Sequence, residues 1–285
     1  MKKKCLIVIA SFADGYLDNL LTSIEENTKD VDYEIQVVDN HRDMEKLEEC
    51  VIPVCEKHNV SLILDTKITG YGDALNTGVN LSTSKSKYIL YMDSDTLVEP
   101  KWLKRMIDCF KRNKKNGCKM VGPLVQDFNN NYLPGVFELY GNPEEIKTMD
   151  DFELTKGYLI GVCILRERET LNEFAWDANY LRAYWEDNDI SEQVKFHDGK
   201  IFIAGESLMH HKVNSSHETI KKETGSSASR VGASNKAYFL HKWGVLKNIV
   251  SNSPVQLAKD MKILRPYTLG TVFTRPDKKA ILGFE

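Results

Sequence analysis

The sequence predicts an α/β fold: a mostly parallel central sheet flanked by helices, with a helical extension at the C-terminal end. Three observations carry that expectation. Apolar runs alternate with amphipathic stretches over residues 5–95, the pattern of a sheet with helices on its faces. Several of those runs end in an acid, at Asp39, Asp65 and Asp93, so carboxylates would line one rim. The run Tyr88-Ile89-Leu90-Tyr91-Met92 leads straight into Asp93-Ser94-Asp95. Such a run reads as a strand buried on both faces. It has to end where the acids begin, because an apolar layer does not hold unpaired carboxylates.

Met1-Lys2-Lys3-Lys4 and the apolar residues after it look at first like a signal peptide. The apolar part is short and leads into Ser11-Phe12-Ala13-Asp14 with no small-residue cleavage site, so it reads as the first strand. Leu17, Leu20, Leu21 and Ile24 recur at helical spacing, giving an amphipathic helix over 16–27. Residues 33–38 make the second strand, ending at Asp39-Asn40. A charged helix over 44–58 follows, which Pro53 should bend or divide. Residues 60–65 are the third strand, Gly70-Tyr71-Gly72 punctuates a loop, and 74–81 is helical. The run into Asp93 is the fourth strand, and right-handed crossovers join them all. Open sheets of this kind bind ligands beyond the carboxyl ends of their strands. Two acids there suit a hard divalent cation that also holds substrate phosphates. The plain alternative for Asp93-Ser94-Asp95 is a turn or a helix cap.

The second half is less regular. Over 100–114 a helix carries Trp102, Leu103, Met106, Ile107 and Phe110 on one face. Its basic end, Lys111 to Lys115, is where the helix dipole favours cations. A short strand spans 120–125, and 127–151, with Asn129-Asn130-Asn131 and two prolines, reads as a mobile or acceptor-facing loop. Residues 158–165 return to buried-strand character. Trp185-Glu186-Asp187-Asn188-Asp189 opens a helix, and acids at a helix start are favoured by the dipole in any case. A late strand spans 200–204, with His210 and His211 after it and His217 beyond. Residues 215–234, rich in Ser, Gly, Lys and Glu, read as a flexible linker or lid. From Asn235 onward Phe239, Leu240, Trp243, Leu246, Ile249 and Val250 form a helical apolar stripe, with Lys236, Lys242 and Lys247 elsewhere. Domain packing is one reading of that helix. Peripheral contact with a membrane surface is the other.

At 285 residues and 42% hydrophobic content the chain has ample material for one large domain with an appendage. Its 38 basic and 41 acidic residues leave a net charge of -3, which argues against a nucleic-acid partner. Cys5, Cys50, Cys55, Cys109, Cys118 and Cys163 are scattered without a C-x-x-C pair, as expected of buried thiols in a reducing cytosol. The expected location is therefore cytoplasmic, membrane-associated if the last helix lies on a bilayer.

In order along the chain, these motifs resemble the inverting family-2 glycosyltransferases of GT-A fold. The likeness runs from about Cys5 to His211. Ala10-Ser11-Phe12 matches the family's nucleotide-binding start, and Val37-Val38-Asp39-Asn40 its second strand. The segment Gly70-Tyr71-Gly72-Asp73-Ala74-Leu75-Asn76-Thr77-Gly78 matches the glycine-rich stretch before the D-x-D strand. Gly161-Val162-Cys163-Ile164-Leu165-Arg166 matches the strand beneath the donor sugar, Trp185-Glu186-Asp187 the E-D motif, and His211 the late metal-side histidine, with His210 as the alternative.

The resemblance implies a nucleotide-diphosphate sugar donor, UDP before dTDP because Asp39 would accept from the pyrimidine N3–H. It implies Mn2+ or Mg2+ held by Asp95 and His211 with Asp93 nearby, Asp93 contacting the ribose. Donor contacts would come from Ala10, Ser11, Phe12, Asp39, Asn40, Gly70, Tyr71, Gly72, Asn76, Asp93, Ser94, Asp95 and Gly161. Trp185 and Glu186 would face a glycan, lipid-linked or protein acceptor, and Asp187 would be the general base. The implied organisation is a catalytic domain over 1–214, with a nucleotide-binding half (1–99) and an acceptor half (100–214). The linker over 215–234 and the helical extension over 235–285 follow it. Two other classes fit the same scaffold. A sugar nucleotidyltransferase would carry a basic, glycine-rich signature where this chain reads Ser11-Phe12-Ala13-Asp14-Gly15. A non-catalytic sugar- or nucleotide-binding protein would have no need of both the D-x-D and the E-D acids.

Overall fold

Apolar runs that cannot stay in water become strands, and the stretches between them supply the helices that cover the sheet. A computed structural model of the chain describes residues 4–12, 15–40, 44–64, 70–213, 221 and 225–243. Asp65, His217, Leu246, Lys247, Ile249 and Val250 lie outside the described residues. The first half runs β1 (Cys5–Ser11), α1 (Leu17–Asn27), β2 (Tyr33–Asp39), α2 (Met44–Lys46), α3 (Ile52–Lys57), β3 (Ser61–Leu64), α4 (Tyr71–Leu81) and β4 (Tyr88–Asp93). Then come β5 (Thr96–Val98), α5 (Trp102–Asn113), β6 (Cys118–Gln126), α6 (Pro134–Tyr140), α7 (Pro143–Ile146), β7 (Phe152–Glu153) and β8 (Cys163–Glu167). The described part closes with α8 (Glu186–Phe196), β9 (Lys200–His211) and α9 (Ala228–Lys242). The charged helix expected over 44–58 is divided as Pro53 requires: a π-helical turn, Leu47–Val51, separates α2 from α3, which takes the proline into its first turn.

The sheet order is β3-β2-β1-β4-β8-β6-β9-β5, with β7 paired to β9. Strands β3, β2, β1, β4, β6 and β9 run one way, and β8, β5 and β7 the other. The antiparallel entry of β8 next to β4 departs from a pure doubly wound sheet. Its cause is local: the Asp93 N–H donates to Val162 O at 3.1 Å, so β8 starts at the rim where β4 ends and must run down the sheet. Residues Tyr88 to Met92 are all buried, as a strand covered on both faces requires.

Four expectations need correction. No strand covers 158–162: the N–H groups of Leu159, Ile160 and Gly161 go to Ser191 Oγ (3.0 Å), Tyr140 OH (2.9 Å) and Asp187 Oδ2 (3.2 Å). The 127–151 loop contains α6 and α7, because Pro134 and Pro143 open helices there. The late strand continues from Ala204 to His211. Its pairing with β6 jumps from Pro123↔Ala204 to Leu124↔Leu208, and the irregular Gly205-Glu206-Ser207 between them breaks the apolar pattern. Helix α9 starts at Ala228, inside the stretch read as linker. Its Lys242, placed by periodicity off the apolar stripe, is fully buried.

Candidate active site

Because β1, β2, β4 and β9 run in one direction, Ser11, Asp39, Asp93 and His211 end their strands at one rim. A cavity of about 450 Å³ opens there. One wall is the turn after β4. Thr96 Oγ1 donates to Asp93 O at 2.9 Å, and the chain doubles back into β5, where Thr96 pairs with His211 and Leu97 with His210. Successive side chains on a strand point to opposite faces, which separates the two histidines. His211 Nε2 lies 3.3 Å from Asp95 Oδ1 and 3.8 Å from Asp93 Oδ2. His210 faces Glu99 instead, 2.9 Å from its Oε1. One ligand atom each from Asp93, Asp95 and His211 can be chosen so that all lie within 4.8 Å of one another. Two carboxylate oxygens and an imidazole nitrogen fit Mn2+ or Mg2+ and leave coordination positions for substrate oxygens.

The facing wall is built by the entry to α8. Asp187 sits in its first turn. Its Oδ2 accepts from Gly161 N, and its Oδ1 accepts from Asn188 N at 2.8 Å and Asn188 Nδ2 at 3.0 Å. A Cβ on Gly161 would stand 3.0 Å from Asp187 Cβ, so any other residue would crowd the carboxylate in its seat. Burial raises the Asp187 carboxyl above its ordinary value, against the N–H groups of Asn188 and Gly161. Burial, together with Asp187 and Asp93, pushes Glu186 up much further. Glu186 lines the cavity, is buried, and its Oε2 has no hydrogen-bond partner among the described residues.

Of the residues singled out in the sequence, the cavity brings together Ala10, Ser11, Phe12, Asn40, Tyr71, Asp93, Ser94, Asp95, Gly161, Trp185, Glu186, Asp187 and His211. Asp39 is buried at the end of β2 and off the wall. Gly70, Gly72 and Asn76 are off it too, and they pack against the chain around 176–182. A Cβ on Gly70 would lie 2.2 Å from Tyr180 O, one on Gly72 3.0 Å from Trp176 Cβ, and Asn76 Nδ2 donates to Trp176 O at 2.8 Å. The glycine-rich helix α4 thus locks the chain around 176–182 in place, and the Tyr71 N–H holds Arg182 O at 2.7 Å.

Sequence reasoning missed Arg182 and Tyr184, which line the cavity. Arg182 is buried, its guanidinium carbon 5.3 Å from the Phe12 ring centroid. Its one sequence signal is a cation just ahead of an acidic run. Arg182, Tyr184 and Trp185 have φ of 59°, 82° and 74°. The left-handed region costs such residues about 1–3 kcal/mol each, so the wall is held under strain.

The family model for glycosyl transferase family 2 matches residues 5–174. No curated protein matches the sequence. Among solved structures, GalNAc-T7 with UDP, GalNAc and Mn2+ is similar at 16% identity and a TM-score of 0.60, over 92% of this chain and 55% of that one. TarS 1-349 of S. aureus is similar at 16% identity and a TM-score of 0.53, over 86% of this chain and 73% of that one. At such identities the likeness is one of fold. The chain spans about half the length of the GalNAc-T7 chain.

Proposed function

The chain belongs to glycosyl transferase family 2 and has the GT-A fold, and from that premise we propose that it is a metal-dependent, inverting glycosyltransferase. The reaction moves a sugar from a nucleotide diphosphate, UDP in the first instance, to the hydroxyl of a glycan, lipid-linked or protein acceptor. The observation that carries the reading is a single cavity with two differently built acidic walls, Asp93, Asp95 and His211 on one and Glu186 and Asp187 on the other.

In this reading Ala10, Ser11, Phe12 and Asn40 seat the nucleotide at the ends of β1 and β2, with Asp39 behind them toward the base. Asp93 faces the ribose, and Asp95 and His211 hold the cation. When bound, Mn2+ or Mg2+ offsets the charge that builds on the departing diphosphate. The acceptor lies beside Trp185 and Glu186. Asp187 takes the hydroxyl proton as the acceptor oxygen attacks the anomeric carbon opposite the leaving group, and in-line attack inverts that carbon. The raised Asp187 carboxyl is a stronger base than an ordinary one.

The test is a donor screen: the protein is incubated with a panel of nucleotide-sugars and Mn2+, and free nucleotide diphosphate is detected. Release from one donor is expected, and silence across the panel with varied acceptors overturns the reading. Asp95→Ala should abolish stimulation of turnover by Mn2+ and weaken UDP binding in its presence by more than about tenfold. An undiminished Mn2+ response in that variant removes Asp95 from the cation site. Support for UDP is the ligand of the GalNAc-T7 structure and an acid, Asp39, at the strand end. Calorimetry should show UDP binding more tightly than GDP, with Asp39→Ala costing about 1–3 kcal/mol. The reverse order would overturn the pyrimidine assignment.

A further inference from the structure

Helix α9 lies far along the chain from the rim, yet a buried side chain on it grips the strained wall of the cavity. Asn235 is fully buried. Its Oδ1 accepts from Leu181 N at 3.2 Å, and its Nδ2 lies 2.9 Å from Leu181 O, 2.9 Å from Ala183 O and 3.1 Å from Tyr184 O. One carboxamide therefore gathers four backbone groups of the stretch whose Arg182, Tyr184 and Trp185 adopt positive φ. A bulky residue does not hold that conformation unaided. The amide is suited to the task because it carries donors and an acceptor together, whereas a carboxylate carries acceptors alone. Beside it the Tyr238 ring packs on Tyr180 with centroids 5.1 Å apart, and Tyr180 O is the atom against which Gly70 closes. Arg182, Ala183, Tyr184 and Trp185 all line the cavity and lead directly into Glu186 and Asp187. The cation wall is built instead on β4, β5 and β9.

We propose that Asn235 is a positioning residue of the active site, its carboxamide fixing the backbone of 181–184 so that Trp185, Glu186 and Asp187 face the cavity. The inference deepens the transferase reading of the cavity and rests on it. Loss of Asn235 therefore loosens the acceptor wall more than the strands that carry Asp93, Asp95 and His211.

Asn235→Asp keeps the size and the acceptor but removes both donated hydrogens, and Asn235→Ser is the second variant should the first lack a cooperative melting transition. Hydrogen exchange of the full chain, followed by mass spectrometry, should rise about tenfold over 178–188, the factor implied by one lost buried hydrogen bond, and stay unchanged over 88–95. Calorimetry should show the affinity for UDP with Mn2+ falling by less than kcat does, since of the loosened stretch only Arg182 is placed against the nucleotide seat, at Phe12. Turnover with the donor found in the screen should fall at least about tenfold in kcat, as expected when a reacting group is misplaced by a fraction of an ångström. Unchanged exchange over 178–188 overturns the proposal, as does a lowered Tm with wild-type kcat. Should the wild type bind no UDP, the transferase reading falls, while the exchange comparison still decides whether Asn235 holds the wall.

Discussion

Asp187→Asn should slow sugar transfer at least about a hundredfold while UDP and Mn2+ bind as in the wild type. The carboxylate accepts three N–H groups, from Gly161, from Asn188 and from the Asn188 side chain. A carboxamide keeps the two bonds at Oδ1 and loses the one from Gly161, at a cost of about 1 kcal/mol, so the fold survives. What it cannot do at neutral pH is accept a proton. A base acts in the transfer step alone, so its loss lowers kcat and leaves donor affinity intact. The pH profile gives the sign independently. Burial raises the Asp187 pKa above 3.8, so the wild-type rate falls as pH drops through that raised value, where the base becomes protonated. The residual rate of the variant should lack that acid limb. Glu186→Gln is the control for nearby negative charge, since burial pushes Glu186 toward its neutral form. Near-normal transfer by Asp187→Asn would place the base on another residue.

The parts of this site that were legible in the sequence are those written as strand ends. A strand buried on both faces and stopped by Asp93 has one register and one exit, so the D-x-D turn follows from the pattern itself. The partner of that turn was harder to read. Strand β5 has three residues, too few for a periodic signal, and only its pairing with β9 decides between His210 and His211. The 158–162 segment is as apolar as a strand, yet its N–H groups are claimed by side chains of Ser191, Tyr140 and Asp187, contacts from elsewhere in the chain. Arg182 and Tyr184 were invisible for the same reason, since their left-handed backbone is imposed by neighbours and leaves no local propensity. The glycines carry a packing contact that the sequence does not show. Gly70 and Gly72 looked like a ligand loop, and the close approach they permit is to Tyr180 and Trp176.

Lys242→Met should lower the stability of the fold by about 3–5 kcal/mol, the scale for breaking a buried ion pair from one side. Lys242 is fully buried, with Nζ 2.8 Å from Asp177 Oδ2 and 2.7 Å from Asp189 Oδ2. Met fills the stem but leaves two buried carboxylates facing each other without a cation. Tyr238 OH still donates to Asp177, and Gln193 and Trp243 to Asp189, yet none of these neutralises a charge. The pH dependence separates this cause from lost packing. In the wild type, burial pushes Asp177 up, but the Lys242 ammonium and hydrogen bonds outweigh it and hold the carboxyl below its ordinary value. That stabilisation is present above the ordinary pKa of about 3.9 and is lost as pH falls below it. Burial works against the Lys242 charge, yet Asp177 and Asp189 raise its pKa on balance, so its share is complete at neutral pH and lost only in strong alkali. Burial already holds the Asp189 carboxyl above its ordinary value, so removing the lysine turns Asp177 upward and drives Asp189 further up, and a carboxyl raised by folding destabilises as pH climbs through its ordinary range. The gap between the two proteins should therefore widen from about pH 4 to about pH 7, read as urea midpoints at matched m-values. A gap independent of pH would assign the effect to the missing ammonium's packing, and a gap under about 1 kcal/mol would show that α9 is not anchored through this lysine.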